Sequence, residues 1–165
     1  MIANVTGTLT ERNKITIRPL GRDDVQKLDA LHQRLSPETI YRRYFSPRKP
    51  SCQELERVCQ LNEAGGGALV AVYDDTVVGI AYYITVDGKT AEPAILIEDR
   101  FQRQGIGRRL AAALGRLALA RGIDTFRALI LPENRGVLQL IRGSGVPYET
   151  RLSHGAREVR VSLTG

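Results

Sequence analysis

The sequence of 165 residues has no tryptophan, one methionine, two cysteines and two histidines. Cys52 and Cys59 stand in a segment whose pattern predicts a helix, which places them about 10 Å apart, too far for a disulfide. No Cys-x-x-Cys or His-Glu-x-x-His spacing occurs, so the sequence gives no support to a metal site. We interpret both cysteines as reduced core residues, and His32 and His154 as surface residues.

Long hydrophobic runs are also missing. The richest stretch, residues 111–120, is interrupted by Arg116 and is shorter than the ~20 apolar residues that a membrane helix needs. The first residues show neither the basic start nor the apolar block of a signal peptide. We therefore expect a cytoplasmic protein with no membrane partner, in which residues 1–13 form a loose leader and residues 14–165 a single domain.

The charge is unbalanced, with 24 basic against 18 acidic residues and a net charge of +6. All but four of the basic residues are arginines, whose planar guanidinium groups suit phosphate and carboxylate. This composition predicts an anionic partner: a nucleotide, an acidic protein or a nucleic acid. No basic surface motif interleaved with aromatic residues occurs, which disfavours nucleic acid.

Hydrophobic periodicity and capping residues predict an α/β domain with a mixed, mostly antiparallel sheet flanked by helices. Only the long helix makes a parallel crossover between strands. The predicted strands are residues 14–20, 68–73, 76–86, 91–98, 126–131, 148–152 and 157–163. The predicted helices are residues 22–35, one starting at the Ser36 cap, 51–61, 106–121 and 134–142.

The strongest local motif is the glycine loop, Gln102-Arg-Gln-Gly-Ile-Gly-Arg108, between a strand and a helix. Its two glycines let the backbone approach an anion, and the helix start directs free N–H groups and a positive dipole end at it. A dinucleotide fingerprint would require a third glycine or alanine where Leu110 stands, and no Walker lysine is present. The loop therefore predicts a phosphate or pyrophosphate site, with a tight turn that binds nothing as the alternative.

The motif Gln102-x-x-Gly105-x-Gly107, after a β-meander and opening a long helix, resembles the acyl-CoA pyrophosphate loop of the GNAT N-acetyltransferases. Residues 35–45, Leu-Ser-Pro-Glu-Thr-Ile-Tyr-Arg-Arg-Tyr-Phe, and residues 91–97, Ala-Glu-Pro-Ala-Ile-Leu-Ile, are similar to a helix and a strand of the Pat-type bacterial protein lysine acetyltransferases. Asn134 and the Gly-Val-Pro at 145–147 match as well. The resemblance spans residues 14–163 and implies a GNAT-like fold that uses acetyl-CoA.

The resemblance also implies cofactor contacts. Main-chain N–H groups of the loop would hold the pyrophosphate, the strand would pair with the pantetheine arm, and Asn134 would either face that arm or simply cap a helix. The implied cofactor-binding residues are Ile95, Leu96, Ile97, Gln102, Arg103, Gln104, Gly105, Ile106, Gly107, Arg108 and Asn134.

Acetylation of a lysine benefits from a base, because only about one lysine in 2,500 is neutral at pH 7. By the resemblance, Glu92 is the catalytic base; a solvent-facing strand carboxylate is the alternative. Pro93 stands where the family usually has an aromatic residue. It predicts either a bulge that turns Glu92 toward the cleft or a distortion of the strand that spoils the geometry of the Glu92 site. Strand alternation groups Glu92 with Ala94 and Leu96, so its direction stays open.

Two aromatic residues, Tyr41 and Phe45, lie four positions apart on one helix. We assign Phe45 to the core and Tyr41 to substrate binding, in the acyl or acceptor pocket, with a core position as the alternative for Tyr41. Residues 135–142 contain no tyrosine, so no general acid is predicted. The predicted function is transfer of an acetyl group from acetyl-CoA to a protein lysine; the alternatives are a small-amine or amino-acid acetyltransferase and a non-catalytic acyl-CoA-binding module.

Overall fold

A seven-stranded sheet organises the protein in the computed structural model, which describes residues 14–165; the leader predicted at residues 1–13 lies outside the described residues. The strands are β1 (Thr16–Pro19), β2 (Gly67–Tyr73), β3 (Thr76–Thr85), β4 (Thr90–Ile97), β5 (Thr125–Ile130), β6 (Tyr148–Ser153) and β7 (Ala156–Ser162). The α-helices are α1 (Val25–Gln33), α2 (Pro37–Tyr44), α3 (Cys52–Cys59), α4 (Ile106–Ala120) and α5 (Arg135–Gly143).

The strand order is β1-β2-β3-β4-β5-β7-β6. Every neighbouring pair is antiparallel except β4 and β5, which are joined through α4 and run parallel. The structure thus confirms the mixed, mostly antiparallel sheet flanked by helices. Within residues 14–165, no helix is long and apolar enough to cross a membrane.

The sheet separates two hydrophobic clusters. On one face α4 contributes Ile106, Leu110 and Leu114, whose i, i+4, i+8 spacing makes a continuous apolar stripe. On the other face, the cluster is built from α1, α2 and α3 around residues such as Leu28 and Ile40. Both faces of β2 and β3 are covered, whereas β6 lies at the edge of the sheet with most of its residues exposed.

Local sequence signals explain where several elements begin and turn. The Ser36 and Ser51 side chains accept hydrogen bonds from N–H groups three residues later, which caps α2 and α3. The hairpin between β2 and β3 turns at Asp74 and Asp75, both with positive φ, as a tight primed turn requires. The boundaries predicted from these residues are confirmed within a few positions.

The expectation that His32 lies on the surface is wrong. Its side chain is 2% exposed in α1. Its Nδ1 lies 2.7 Å from the carbonyl oxygen of Leu28, and its Nε2 lies 2.6 Å from the hydroxyl of Tyr44. A local pattern gives no sign of this burial, because Tyr44 reaches His32 from the next helix.

Burial lowers the pKa of His32, since it disfavours the charged imidazolium. The unfolded chain therefore takes up this proton more readily than the folded protein, and the free energy of unfolding should fall as the pH drops through about 6.5. Urea denaturation at about pH 7.5 and about pH 5.5 should show a smaller pH-dependent loss for His32→Gln than for wild type. His154→Gln, at an exposed position, should retain the wild-type loss; an equal loss in all three proteins would contradict the assignment.

Two further expectations about packing are wrong. Cys52 is exposed at the start of α3, and only Cys59 is buried. Phe45 is 40% exposed rather than in the core. It terminates α2 in the left-handed conformation, with φ 55°, and this turns its side chain off the buried face of the helix.

Candidate active site

The loop from β4 to α4 presents a concave run of backbone. Arg103 and Gly105 both adopt the left-handed conformation, with φ of 60° and 85°. Gly105 is the N-cap of α4 and offers no capping side chain, and the first turn of α4 contains no acidic residue. The free N–H groups of this turn and the positive end of the helix dipole are therefore directed out of the helix start, an arrangement that favours an anion.

Space is open beside both glycines of the loop. A Cβ atom on Gly107 would meet Ile95 Cδ1 at 3.8 Å and Ile97 Cγ1 at 3.9 Å, which are ordinary van der Waals distances. Packing within the protein therefore does not explain the glycine at position 107. A ligand that lies against its Cα would explain it, as the sequence motif predicts.

The arginines of this region have different surroundings. Arg109 donates from Nη2 to the carbonyl oxygen of Ile15, at 3.1 Å, and so holds the residue that directly precedes β1. Arg108 extends toward the end of α5, where its Nη2 lies 2.8 Å from the position of a Cβ on Gly143. Arg103 is exposed in the loop itself. Arg103 is therefore placed to add charge at the loop, whereas the guanidinium of Arg108 lies at the end of α5 and Arg109 is bonded elsewhere.

A cleft opens beside the loop because β4 and β5 separate. Their pairing covers only Thr90 with Thr125 and Ala91 with Phe126. Beyond this point β5 continues beside β7, and β4 continues beside β3 up to Ile97. The edge of β4 that faces β5 is therefore unpaired over residues 92–97 in the described chain, which leaves main-chain groups for an extended ligand.

Hydrogen-bond parity decides which groups of β4 face this cleft. Val86 donates to the carbonyl oxygen of Thr90 and Glu98 donates to that of Val78, so the even-numbered residues of β4 pair with β3. Ile95 consequently presents its N–H and C=O to the cleft, and Ile97 presents its N–H, while the Ile97 carbonyl oxygen accepts a hydrogen bond from the Gln102 side chain. Leu96 pairs with β3, and its side chain is buried on the opposite face from α4. The predicted pairing with an acyl-CoA arm thus narrows to Ile95 and Ile97.

Pro93 causes no bulge, since the register between β3 and β4 is unbroken. Its missing N–H faces the cleft and not β3, which explains why a proline is tolerated here. Glu92 lies on the face of the sheet opposite α4, and its side chain is 58% exposed. Its Oε1 lies 3.5 Å from Nη2 of Arg127 on β5. The carboxylate therefore stands at the point where the two strands part.

Polar contacts tie the glycine loop to the start of α2. The carboxylate of Asp99 accepts hydrogen bonds from the backbone N–H and hydroxyl of Ser36 and from the hydroxyl of Thr39, at 2.7–2.9 Å. Burial opposes ionisation of Asp99, but these hydrogen bonds outweigh it and hold its pKa below the usual value. Gln102 donates its amide to the Ile97 carbonyl oxygen, at 3.0 Å, and to the Thr39 hydroxyl, at 3.3 Å. The side chain of Gln102 thus positions the loop.

The model of the Acetyltransferase (GNAT) family matches residues 30–145 of the sequence. The chain belongs to the GNAT acetyltransferase family. Acetyltransferase Pat of Mycolicibacterium smegmatis is 31% identical over 141 residues, which cover 80% of this chain and 41% of that protein. The chain thus spans less than half the length of this relative.

Solved structures share the fold of this GNAT chain. The GNAT domain of Streptomyces lividans PAT superposes with a TM-score of 0.81 at 23% identity, over 88% of this chain and 89% of that one. YncA of Salmonella typhimurium, whose structure contains its cofactor acetyl-CoA, superposes with a TM-score of 0.75 at 16% identity, over 90% and 94% of the two chains. At these identities the likeness establishes the GNAT fold.

The remaining predicted site residues of this GNAT chain occupy varied positions. Asn134 caps α5, its Oδ1 accepting from the N–H of Val137 at 3.4 Å, so the cap role is present. Gln104 donates to the carbonyl oxygen of Arg100, at 3.0 Å. Ile106, the first residue of α4, is buried in the core. Tyr41 is 46% exposed on α2, and its place in the acceptor pocket stays a prediction.

Sequence reasoning missed Ser36, Thr39 and Asp99 as positioning residues for the loop. Asp99 lies 60 residues or more from both of its partners in sequence. The only local signal was the Ser36 cap itself, which predicts the start of α2 and not its contact with the loop.

Proposed function

We propose that this GNAT chain transfers an acetyl group from acetyl-CoA to the side-chain amine of a protein lysine, with residues 14–165 acting as one catalytic unit. The observation that carries the proposal is the opening of β4 from β5 directly after Ala91. It leaves Ile95 and Ile97 beside an uncapped helix start. It also leaves Glu92 exposed at the point of separation.

The chemistry needs one activated carbonyl and one base. When bound, acetyl-CoA supplies the thioester carbonyl that the amine attacks. Glu92 accepts a proton from the lysine ammonium, directly or through a water, so that the nitrogen lone pair is free to form the new C–N bond. Main-chain N–H groups of the β4 edge stabilise negative charge on the acyl oxygen. Breaking the bond between the acyl carbon and sulfur would then release CoA as the thiolate, and the amide nitrogen would lose its remaining extra proton to water.

The exposure of Glu92 favours a large acceptor. Ile84, which pairs with Glu92 across β3 and β4, is 50% exposed, and Val86 at the end of the same hairpin is 45% exposed. α1, α2 and α3 cover the inner part of this face and leave this end open. A lysine presented on a protein surface reaches such a site without first entering a closed pocket.

The test is acetyl-CoA turnover against a panel of lysine-containing proteins, free amino acids and small amines, with mass spectrometry of the products. We expect acetylation at lysine side chains of folded proteins and weaker turnover of small amines. Faster turnover of a small amine, by tenfold or more in kcat/KM, would overturn the lysine assignment and retain the acetyltransferase. CoA binding without turnover of any amine would favour the acyl-CoA-binding module.

A further inference from the structure

The last strand of the sheet has an open outer edge. β6 pairs with β7, and no other strand of residues 14–165 lies beside it. The five residues from Tyr148 to Leu152 are all exposed. Proteins usually protect such an edge with proline, a bulge or a covering loop, because it is a template for pairing with another strand.

Hydrogen-bond parity shows which groups of β6 face outward. Ser162 donates to the carbonyl oxygen of Pro147, and the hairpin closes through a two-residue turn at His154 and Gly155. Odd-numbered residues of β6 therefore pair with β7. Even-numbered residues, 148, 150 and 152, direct their N–H and C=O groups outward. The N–H that Pro147 lacks would face β7, so this proline does not protect the outer edge.

We propose that β6 pairs antiparallel with β6 of a second copy of this chain, about a two-fold axis through Thr150. This register makes Thr150 its own partner and places 148 opposite 152 and 149 opposite 151. In this register the hydrogen-bonded pairs across the axis form between residues 148, 150 and 152, whose N–H and C=O groups face outward. Such an isologous contact closes after two copies.

The side chains of β6 are complementary to themselves in this register. Glu149 lies opposite Arg151 of the second copy, and the two-fold axis generates the same ion pair a second time. On the other face Tyr148, 40% exposed, lies opposite Leu152, 69% exposed. Arg151 bonds Glu158 of its own chain at 3.0 Å, yet its side chain stays 76% exposed and accessible to a second carboxylate. A one-residue shift of the register would lose both pairings.

The size of the contact predicts a weak dimer. A stable interface buries about 800 Å² on each partner, and one pair of short strands covers less than that. We therefore expect reversible association that rises with protein concentration. The inference does not depend on the proposed acetyl acceptor, since β6 lies at the sheet edge and the cleft lies between β4 and β5.

Charge reversal tests the register. In sedimentation velocity over a concentration series, Glu149→Arg and Arg151→Glu should each weaken dimerisation at least about tenfold, because like charges would meet across the axis. An equimolar mixture of the two variants should associate again, since each Arg then meets a Glu on the other copy. Glu56→Arg, at an exposed position of α3, is the control with the same charge change as Glu149→Arg and should behave as wild type.

A second variant distinguishes loss of the dimer from misfolding of the chain. Thr150→Pro removes an outward N–H and none that faces β7, so it should abolish the dimer while circular dichroism stays as in wild type. A wild-type protein that sediments as a monomer at every concentration would overturn the proposal. Single reversals that dimerise as wild type, or a mixture that stays monomeric, would overturn it as well.

Discussion

Glu92→Gln should lower kcat/KM for amine acetylation by about 10²- to 10⁴-fold, the usual contribution of a general base. The substitution keeps the size of the side chain and its position at the separation of β4 from β5, but it removes the proton acceptor. The affinity for CoA should stay at the wild-type value, because the glycine loop and the main-chain groups of Ile95 and Ile97 are unchanged.

The deficit of the Glu92→Gln variant should depend on pH. At neutral pH nearly all lysine acceptor is charged, and the base is needed most. Toward pH 10 a growing share of lysine is neutral, so the ratio of wild-type to variant rates should shrink. A full pH–rate profile of both proteins measures this trend.

Glu56→Gln is the matched control, since Glu56 is an exposed glutamate on α3. It should leave both kcat/KM and CoA affinity unchanged. Wild-type kinetics in Glu92→Gln would remove Glu92 from the mechanism, and a parallel loss of CoA affinity would assign it to cofactor binding.

Gly107→Ala should weaken CoA binding by at least about tenfold, and Gly107→Val by more. The added Cβ would occupy the space through which a diphosphate reaches the backbone N–H groups of the loop. A hydrogen bond to a charged group contributes about 1.5–3 kcal/mol, so losing one suffices for this effect. Isothermal titration with CoA measures it.

The free protein should accept Gly107→Ala without loss of stability. The new Cβ would lie 3.8 Å from the nearest protein atom that is not in its own helix backbone. Alanine also favours helix over glycine by up to about 1 kcal/mol. Thermal denaturation should therefore show an unchanged or higher Tm, which separates the effect on the ligand from an effect on folding.

Gly115→Ala on the same helix is the control. Its Cβ would lie 3.7 Å from Leu163 Cδ2, again an ordinary contact. Gly115 lies about two helical turns beyond Gly107 in α4 and is therefore away from the loop. It should raise or preserve Tm and leave CoA affinity unchanged. Equal CoA affinity in Gly107→Ala, Gly107→Val and wild type would contradict the loop assignment.

The sequence predicts those parts of this protein that depend on local patterns. Ser36 and Ser51 cap helices through their own side chains, and Gly105 permits a positive φ, so each position can be recognised from residues close by. The register of β4 also follows from strand alternation once its partner is known. These features suffice for the order of the elements and for the glycine loop.

Features that depend on distant contacts were beyond the sequence. His32 is buried because Tyr44 from α2 supplies its partner, and Asp99 organises the loop through residues 60 or more positions away. Pro93 was ambiguous because a missing N–H disrupts a strand only on the side where a ladder exists. The structure places the missing N–H of Pro93 at the cleft, where β4 has no neighbouring strand.

We expect the main-chain N–H groups of residues 103–108 to bind the diphosphate of CoA. A crystal structure of the protein with CoA tests it most directly. We expect diphosphate oxygens at 2.7–3.2 Å from these nitrogen atoms and the pantetheine arm beside Ile95 and Ile97. A diphosphate bound elsewhere, with the loop closed on itself at saturating CoA, would contradict the account.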